Sequence, residues 1–378
     1  MRIGFLRLLD AAPLIMAGHL GYFTAAGVSV SLHRQTGWMN ARDQLLAGFL
    51  DASQAPIGMP IMSQTGRAGF EKPLVAVMNL GSGGNVFVLS SELAQAGVDS
   101  IASLAHFVRS QTFHQVLNRT LIGSYVSTYS GQYYLLRNWL EAAGLSENRH
   151  IRLTPLMPAQ VPEHLAHGYV DVCCIGEPWG TRCVSYGWGT IIGATTDVLP
   201  HHPEKVLAFT EQFAAAHSPE VIRAVEAVLR GADFCSQPRN MDTLVEVLSH
   251  PAHLDESPDI IRRSLMLGVS DAFPTPGRDD FADVGATPMR RSDAAPVRSW
   301  NASDCYPDSA AMEWFLGQMV RWHDLVAGPE LQLVAQRSVR TDFFEQAAAR
   351  LGLPHVAADS SQSLKWRNIQ PAVTPIAV

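Results

Sequence analysis

The sequence predicts an α/β protein of two lobes with mainly parallel sheets, followed by a helical C-terminal region. Three observations predict it. Short apolar runs alternate with stretches of helical spacing from residue 2 to residue 209, which is the pattern of strands packed against helices. The alternation falls into two sets, joined near 81–85 and again near 196–204. Beyond them the spacing is mostly helical, and the composition, 47% apolar and 17% charged over 378 residues, is that of well-buried globular units.

"RIGFL" (2–6) reads as the first strand, and "APLIMAGHLGYFTAAG" as a helix that Gly27 terminates. "VSVSLHR" (28–34) is β-branched and alternating, hence a strand, and Trp38 to Phe49 has helical spacing. "PLVAVMNL" (73–80) is an apolar strand that stops at "GSGG". In the second set, "TLIGS" (120–124) precedes a helix around "GQYYLLRNWLEAAG", and "HIRLTPL" (150–156), "YVDVCCIG" (169–176) and "GTIIGAT" (189–195) are strands. "KVLAF" (205–209) is one more strand. Helices follow at about 218–235, 239–249, 258–266, 308–325 and 340–352. Residues 267–305, rich in Pro, Asp, Ser and Arg, read as a long surface loop, and the last dozen as a frayed tail. Lobe one is thus 1–84 with 197–378, and lobe two is 85–196. Two crossings make a cleft with a two-strand hinge.

A net charge of −7 without a basic block argues against direct nucleic-acid binding. No apolar stretch reaches the roughly 20 residues of a membrane span. The five cysteines form no Cys-x-x-Cys pair, and Cys173 and Cys174 read as buried thiols, which suit a reducing compartment. The N-terminus has no secretory pattern, so the expected location is the cytoplasm, or the periplasm if a leader has been removed.

"DVLPHHPEKVLAFT" (197–210) holds the densest polar cluster. The rings of adjacent His201 and His202 should diverge, and no other histidine lies at short ligand spacing, so no metal is expected. Lys205 stands at the mouth of a strand that re-enters lobe one, pointing into the cleft. Gly-x-Ser-x-Gly, phosphate-loop and His-Glu-x-x-His motifs are all missing, and "GSGGN" (81–85) reads as a hinge. "SYVSTYSGQ" (124–132), between a strand and a helix, is either an anion site built from hydroxyls and free N–H groups or an ordinary helix cap. Glu177 in "GEPWG" and Trp38 in "TGWMNARD" sit at strand ends, where ligands of open α/β sheets bind.

The stretches "APLIMAGHLGYF", "TGWMNARDQLLAG", "DASQAPIGMPI", "YLLRNWLEAAGL", "VDVCCIGEPWG" and "HHPEKVLAFTEQFAAAH" resemble the nitrate/bicarbonate-type solute-binding proteins. The resemblance, continued more weakly in "SAAMEWFLGQMVRW" and "RTDFFEQAAARLGLP", spans nearly the whole chain. It implies a two-lobed, type II periplasmic-binding-protein-like clamp. Exported members deliver nitrate or bicarbonate to an ABC importer. A cytoplasmic branch senses nitrate or nitrite and holds an RNA-binding antiterminator inactive until the ligand arrives. The family's pocket tryptophan falls on Trp38 and its lysine on Lys205, where bicarbonate binders are expected to be acidic, so Lys205 favours nitrate-like anions. Its glutamine falls on Asn85 and its histidine on Gln132. Together with Thr128 and Ser130 from the helix start and Glu177 from the strand end, the expected ligand set is Trp38, Asn85, Thr128, Ser130, Gln132, Glu177 and Lys205, without a cofactor. The function expected is sensing of a small inorganic anion, with an importer's substrate-binding component as the alternative. The thiamine-pyrimidine synthases share the architecture, but their cysteine-rich stretch is reduced here to Cys173-Cys174.

Overall fold

The computed structural model describes residues 1–66, 69–110, 119–267 and 297–353. The expected tail, and residues 268–296 of the expected loop, lie outside the described residues.

The first sheet contains β1 (Arg2–Phe5), β2 (Ser31–Arg34), β3 (Ala52–Pro56), β4 (Leu74–Asn79) and, from much later in the chain, β11 (Lys205–Thr210). The second contains β6 (Asn85–Ser90), β7 (Leu121–Tyr125), β8 (Ile151–Pro155), β9 (Val172–Gly176) and β10 (Gly189–Ala194). Their spatial orders are β2-β1-β3-β11-β4 and β10-β6-β9-β7-β8. In the first sheet β1 runs parallel to β2 and β3, while β11 runs antiparallel to β3 and β4. In the second, β7 is parallel to β8 and β9, while β6 is antiparallel to β9 and β10. The sheets are therefore mixed rather than mainly parallel. The cause is topological. Each of β6 and β11 arrives from the other sheet, so it starts at the edge where its parallel neighbours end. Asn85 accordingly pairs with Gly176 at the end of β9, and Lys205 with Pro56 at the end of β3.

Two local differences have simple causes. The helix expected up to Gly27 is two pieces, Ala12–His19 and Tyr22–Ala25, because Gly21 takes a left-handed conformation (φ 70°) between them. Strand β3, "ASQAP", carries no β-branched residue, yet it is central and fully buried. Burial between neighbours overrides its weak propensity.

The chain passes from the first sheet to the second through Gly81–Gly84 and returns through residues 195–204. The passes are joined: Gly83 N–H donates to the His202 carbonyl (2.8 Å), and Ser82 bridges Pro203. A third segment lies beside them. β5 (Ser82–Gly83) pairs with β12 (Arg298–Ser299), and Gly84 N–H donates to the Val297 carbonyl at 2.6 Å. A Cβ on Gly81, which holds φ 102°, would stand 2.5 Å from the Ser299 carbonyl oxygen, so only glycine admits this third segment. The two-residue β12 has no periodicity to reveal it.

Helices Ala12–His19, Ser218–Ser236 and Thr341–Arg350 cover one face of the first sheet with a continuous apolar core. A second core runs through the other sheet and on between the two, taking in Trp38, Ile57, Met59, Val86, Tyr133, Phe315 and Met319. No helix among the described residues is long and apolar enough to cross a membrane. Gly231 lies where the 218–236 helix meets the backbone of Pro13, with no room for a Cβ. Gly231→Ala should cost about 1–3 kcal/mol through overpacking, read as a lower urea midpoint at unchanged m-value.

Candidate functional site

Lys205, the first residue of β11, is 2% exposed. Its Nζ donates to Glu204 Oε1 at 3.0 Å and stands 5.7 Å from the centre of the Trp38 ring. Trp38 begins the helix Trp38–Leu46 and is itself buried. Glu204, also buried, accepts from the backbone N–H of Gln132 at 3.2 Å. That N–H belongs to the first turn of the helix Gly131–Ala142, whose dipole favours a negative group there. The Gln132 side chain turns the other way and donates to the Cys174 carbonyl on β9 (3.1 Å).

A second polar path reaches the same carboxylate. Thr195 Oγ1 donates to the Asn85 carbonyl at 3.3 Å and lies 2.9 Å from His202 Nε2. His202 Nδ1 is 3.7 Å from Glu204 Oε2. Burial pushes the His202 pKa down to about 4, so the ring is neutral in ordinary buffers. The rings of His201 and His202 do part: His201 (φ 56°) faces Asp304 at 3.6 Å, while His202 is fully buried. Among the described residues no group of His, Cys, Asp and Glu is arranged to hold a metal ion. The side chain of Asn85 is fully buried and neither end of its amide has a hydrogen-bond partner. A Cβ on Gly176 would stand 3.2 Å from Asn85 Oδ1 and 2.9 Å from Leu8 Cδ2, so that amide faces the first sheet's side of the interface.

The structure thus gathers Trp38, Gln132 and Lys205 around Glu204, and connects Asn85 to them through Thr195 and His202. The side chains of three other predicted residues do not join that group. Thr128 is exposed, and only its carbonyl is engaged, by Tyr134 Oη at 3.1 Å. Ser130 is buried, but its hydroxyl closes the turn onto the Ser127 carbonyl (2.5 Å). Glu177 Oε2 accepts from Thr181 N–H (3.1 Å) and Ser264 Oγ (2.9 Å), tying the end of β9 to the helix Pro258–Met266, and burial raises its pKa. Near it, buried Arg298 donates to the Gly84 carbonyl at 3.0 Å and lies 3.8 Å from Asp10 Oδ1. Burial lowers the arginine's pKa and raises the aspartate's.

The facing edges of the two sheets are in contact. Leu9 N–H donates to the Glu177 carbonyl (2.8 Å), Gly58 N–H to the Tyr129 carbonyl (3.0 Å), and Trp179 Nε1 to the Arg7 carbonyl (2.8 Å). The helix Ser309–Arg321 spans the seam, with Met319 against Gly58, Phe315 against Gly131, and Gln318 accepting from Asn138 Nδ2 at 3.0 Å. Sequence reasoning singled out neither Glu204, His202 nor Thr195 as site residues. The one available signal was a glutamate placed directly before a lysine at the start of an apolar strand.

A model of the NMT1-like family matches residues 1–249. The bicarbonate transport ATP-binding protein CmpC of Synechococcus elongatus is 30% identical over 358 residues, which is 94% of this chain and 50% of CmpC. The chain thus spans about half the length of that relative. The bicarbonate-binding protein CmpA of the same organism is 25% identical over 377 residues, covering 95% of this chain and 79% of CmpA. The crystal structure of the periplasmic nitrate-binding protein NrtA from Synechocystis superposes with a TM-score of 0.77 at 22% identity, over 93% of this chain and 89% of that one. This last likeness places the fold among periplasmic-binding-protein-like clamps.

His202 makes a pH prediction. Its pKa is lowered from 6.5 to about 4 on folding, so the unfolded chain takes up the proton first as pH falls. The stability it contributes is present above pH 6.5 and is lost as pH falls towards 4. The loss should be on the order of 3 kcal/mol. His202→Gln should remove it, seen as the difference between the two proteins' denaturation free energies across that window.

Proposed function

The chain belongs to the NMT1-like family, and on that footing we propose that it binds one small inorganic anion, nitrate or nitrite, between its two sheets and reports the binding to a regulatory partner. The observation that carries this reading is a buried ammonium, that of Lys205, set beside the Trp38 ring in the sealed interface. The buried, unpartnered amide of Asn85 belongs to the same interface. A cation, a flat apolar wall and neutral donors suit a small planar anion. The relatives named for bicarbonate and nitrate bind anions of that kind.

The site is closed to solvent, so a ligand enters only when the edges part. In this reading 1–84 with 197–378 and 85–196 are the moving lobes, and 81–85 and 196–204 are the hinge. An anion held by Lys205 from one side and by the start of the Gly131 helix from the other binds the closed form better than the open one. That difference is what shifts the equilibrium. Closure alters the surface offered to a protein. The resemblance to the cytoplasmic sensors makes that protein an RNA-binding antiterminator. No residue is assigned a catalytic role. The second reading, the substrate-binding component of an ABC importer acting in the periplasm, is favoured by the transport names of the relatives.

Calorimetry against nitrate, nitrite, hydrogencarbonate and an alkanesulfonate, with scattering on the same samples, tests the proposal. Nitrate or nitrite should bind and compact the protein, and no binding of either would sink it. Lys205→Met should weaken binding by about 1.5–3 kcal/mol, the range of a charge-assisted hydrogen bond. The variant also leaves Glu204 unpaired, which should cost about 3–5 kcal/mol of stability. The double variant Glu204→Gln/Lys205→Met should regain much of the stability without the affinity.

A further inference from the structure

Lys205 already has an anion. Glu204 Oε1 sits 3.0 Å from its ammonium, and both side chains are buried, so the pair carries no net charge. An acceptor-only anion added beside them would leave the sealed interface with one unbalanced negative charge. Buried groups escape that state by exchanging protons.

Glu204 has no room to step aside. A Cβ on Gly131 would stand 2.6 Å from its Oε2 and 2.8 Å from the Phe315 ring, so the first turn of the Gly131 helix and Phe315 wall it in. Oε2 is buried and has no hydrogen-bond partner. Among the described residues, the groups that face the carboxylate supply no second cation. Beside Lys205 on its own segment is His202, neutral above about pH 4. Its Nε2 lies 2.9 Å from Thr195 Oγ1, and its Nδ1 lies 3.5 Å from the Pro203 carbonyl and 3.7 Å from Glu204 Oε2. From β9 comes the Cys174 thiol, which burial keeps protonated. From the turn before the first helix comes Asp10, whose carboxyl also feels Lys205 and Glu204. Arg298, the next buried cation among the described residues, is engaged with Gly84 and Asp10.

We infer that the anion is bound together with one proton, taken from solvent onto Glu204. The inference rests on the anion-binding reading above. The balance is simple: the carboxylate becomes a carboxylic acid, the ligand keeps its charge, and Lys205 becomes the ligand's counterion. Protonated Oε2 is then a donor to the ligand, where before it was a stranded acceptor. An oxyanion with its own O–H, such as hydrogencarbonate, meets the same requirement without taking up a proton.

Nitrate titrations of the wild-type protein in two buffers of different ionisation enthalpy count the protons. About one should be taken up per nitrate at pH 7.5, and affinity should fall about tenfold for each pH unit above neutrality. Zero uptake overturns the inference. Glu204→Gln cannot titrate, yet keeps an acceptor for Gln132. Its nitrate affinity at pH 8 should rise about tenfold or more, and the pH slope should vanish. A lower affinity with the slope retained overturns the assignment. So does a slope that survives in Glu204→Gln and disappears in Asp10→Asn, which would put the proton on Asp10. Nitrate bound without protons sinks this inference alone. Nitrate, nitrite and hydrogencarbonate all failing to bind at pH 6 and pH 8 sinks the functional reading with it.

Discussion

The ion pair at the start of β11 is the constraint around which the two sheets are arranged. Two adjacent charged residues enter a buried strand, and both must be enclosed by groups that tolerate them. At about 4 Å and an effective dielectric near 20, their attraction is about 4 kcal/mol. Removing two ions from water costs several kcal/mol for each. The pair is therefore no source of stability, and its enclosure must be made good elsewhere. The start of the Gly131 helix supplies an N–H, Trp38 a polarisable face, and Phe315 a dry wall. Those three come from different parts of the chain, so the pair acts as the point on which both sheets and the late helices converge.

Topology explains why they can converge. Parallel strands deliver their carboxyl ends to one edge, and a strand inserted from the other sheet must begin at that edge. β6 and β11 obey the same rule in opposite directions. Asn85 and Lys205 are consequently equivalent positions, each the first residue of a crossing strand and each buried where the sheets meet. Amide and ammonium are thus brought to one interface by a single architectural device used twice.

Much of this was legible in the sequence. The apolar strands from "RIGFL" to "KVLAF" stood out because buried strands need continuous apolar runs. Lys205 and Trp38 stood out because a lysine and a tryptophan at strand ends are unusual company. What stayed hidden had no local signature. β3 is small and polar, and only its neighbours make it a strand. β12 is two residues long and exists because a distant glycine segment accepts it. Glu204 was not separable from the rest of the "HHPEK" cluster, since its burial depends on a helix more than seventy positions away, through Gln132 N–H. Thr128 was drawn in by its place between a strand and a helix start, and hydroxyl-rich turns there read the same whether they face a ligand or water.

The chain also places the buried polar cluster and part of its enclosure in different stretches of sequence. Trp38, Asn85, Gln132, Glu204 and Lys205 all lie within residues 1–249, the part that the family model matches. The third segment beside the passes, with Arg298 and Ser299, and the helix bearing Phe315 and Gln318 lie beyond it. The ion pair and the brace across the seam are therefore written in different stretches of sequence, so substitutions after residue 249 can alter how the two sheets are held together while Lys205, Glu204 and Trp38 stay the same.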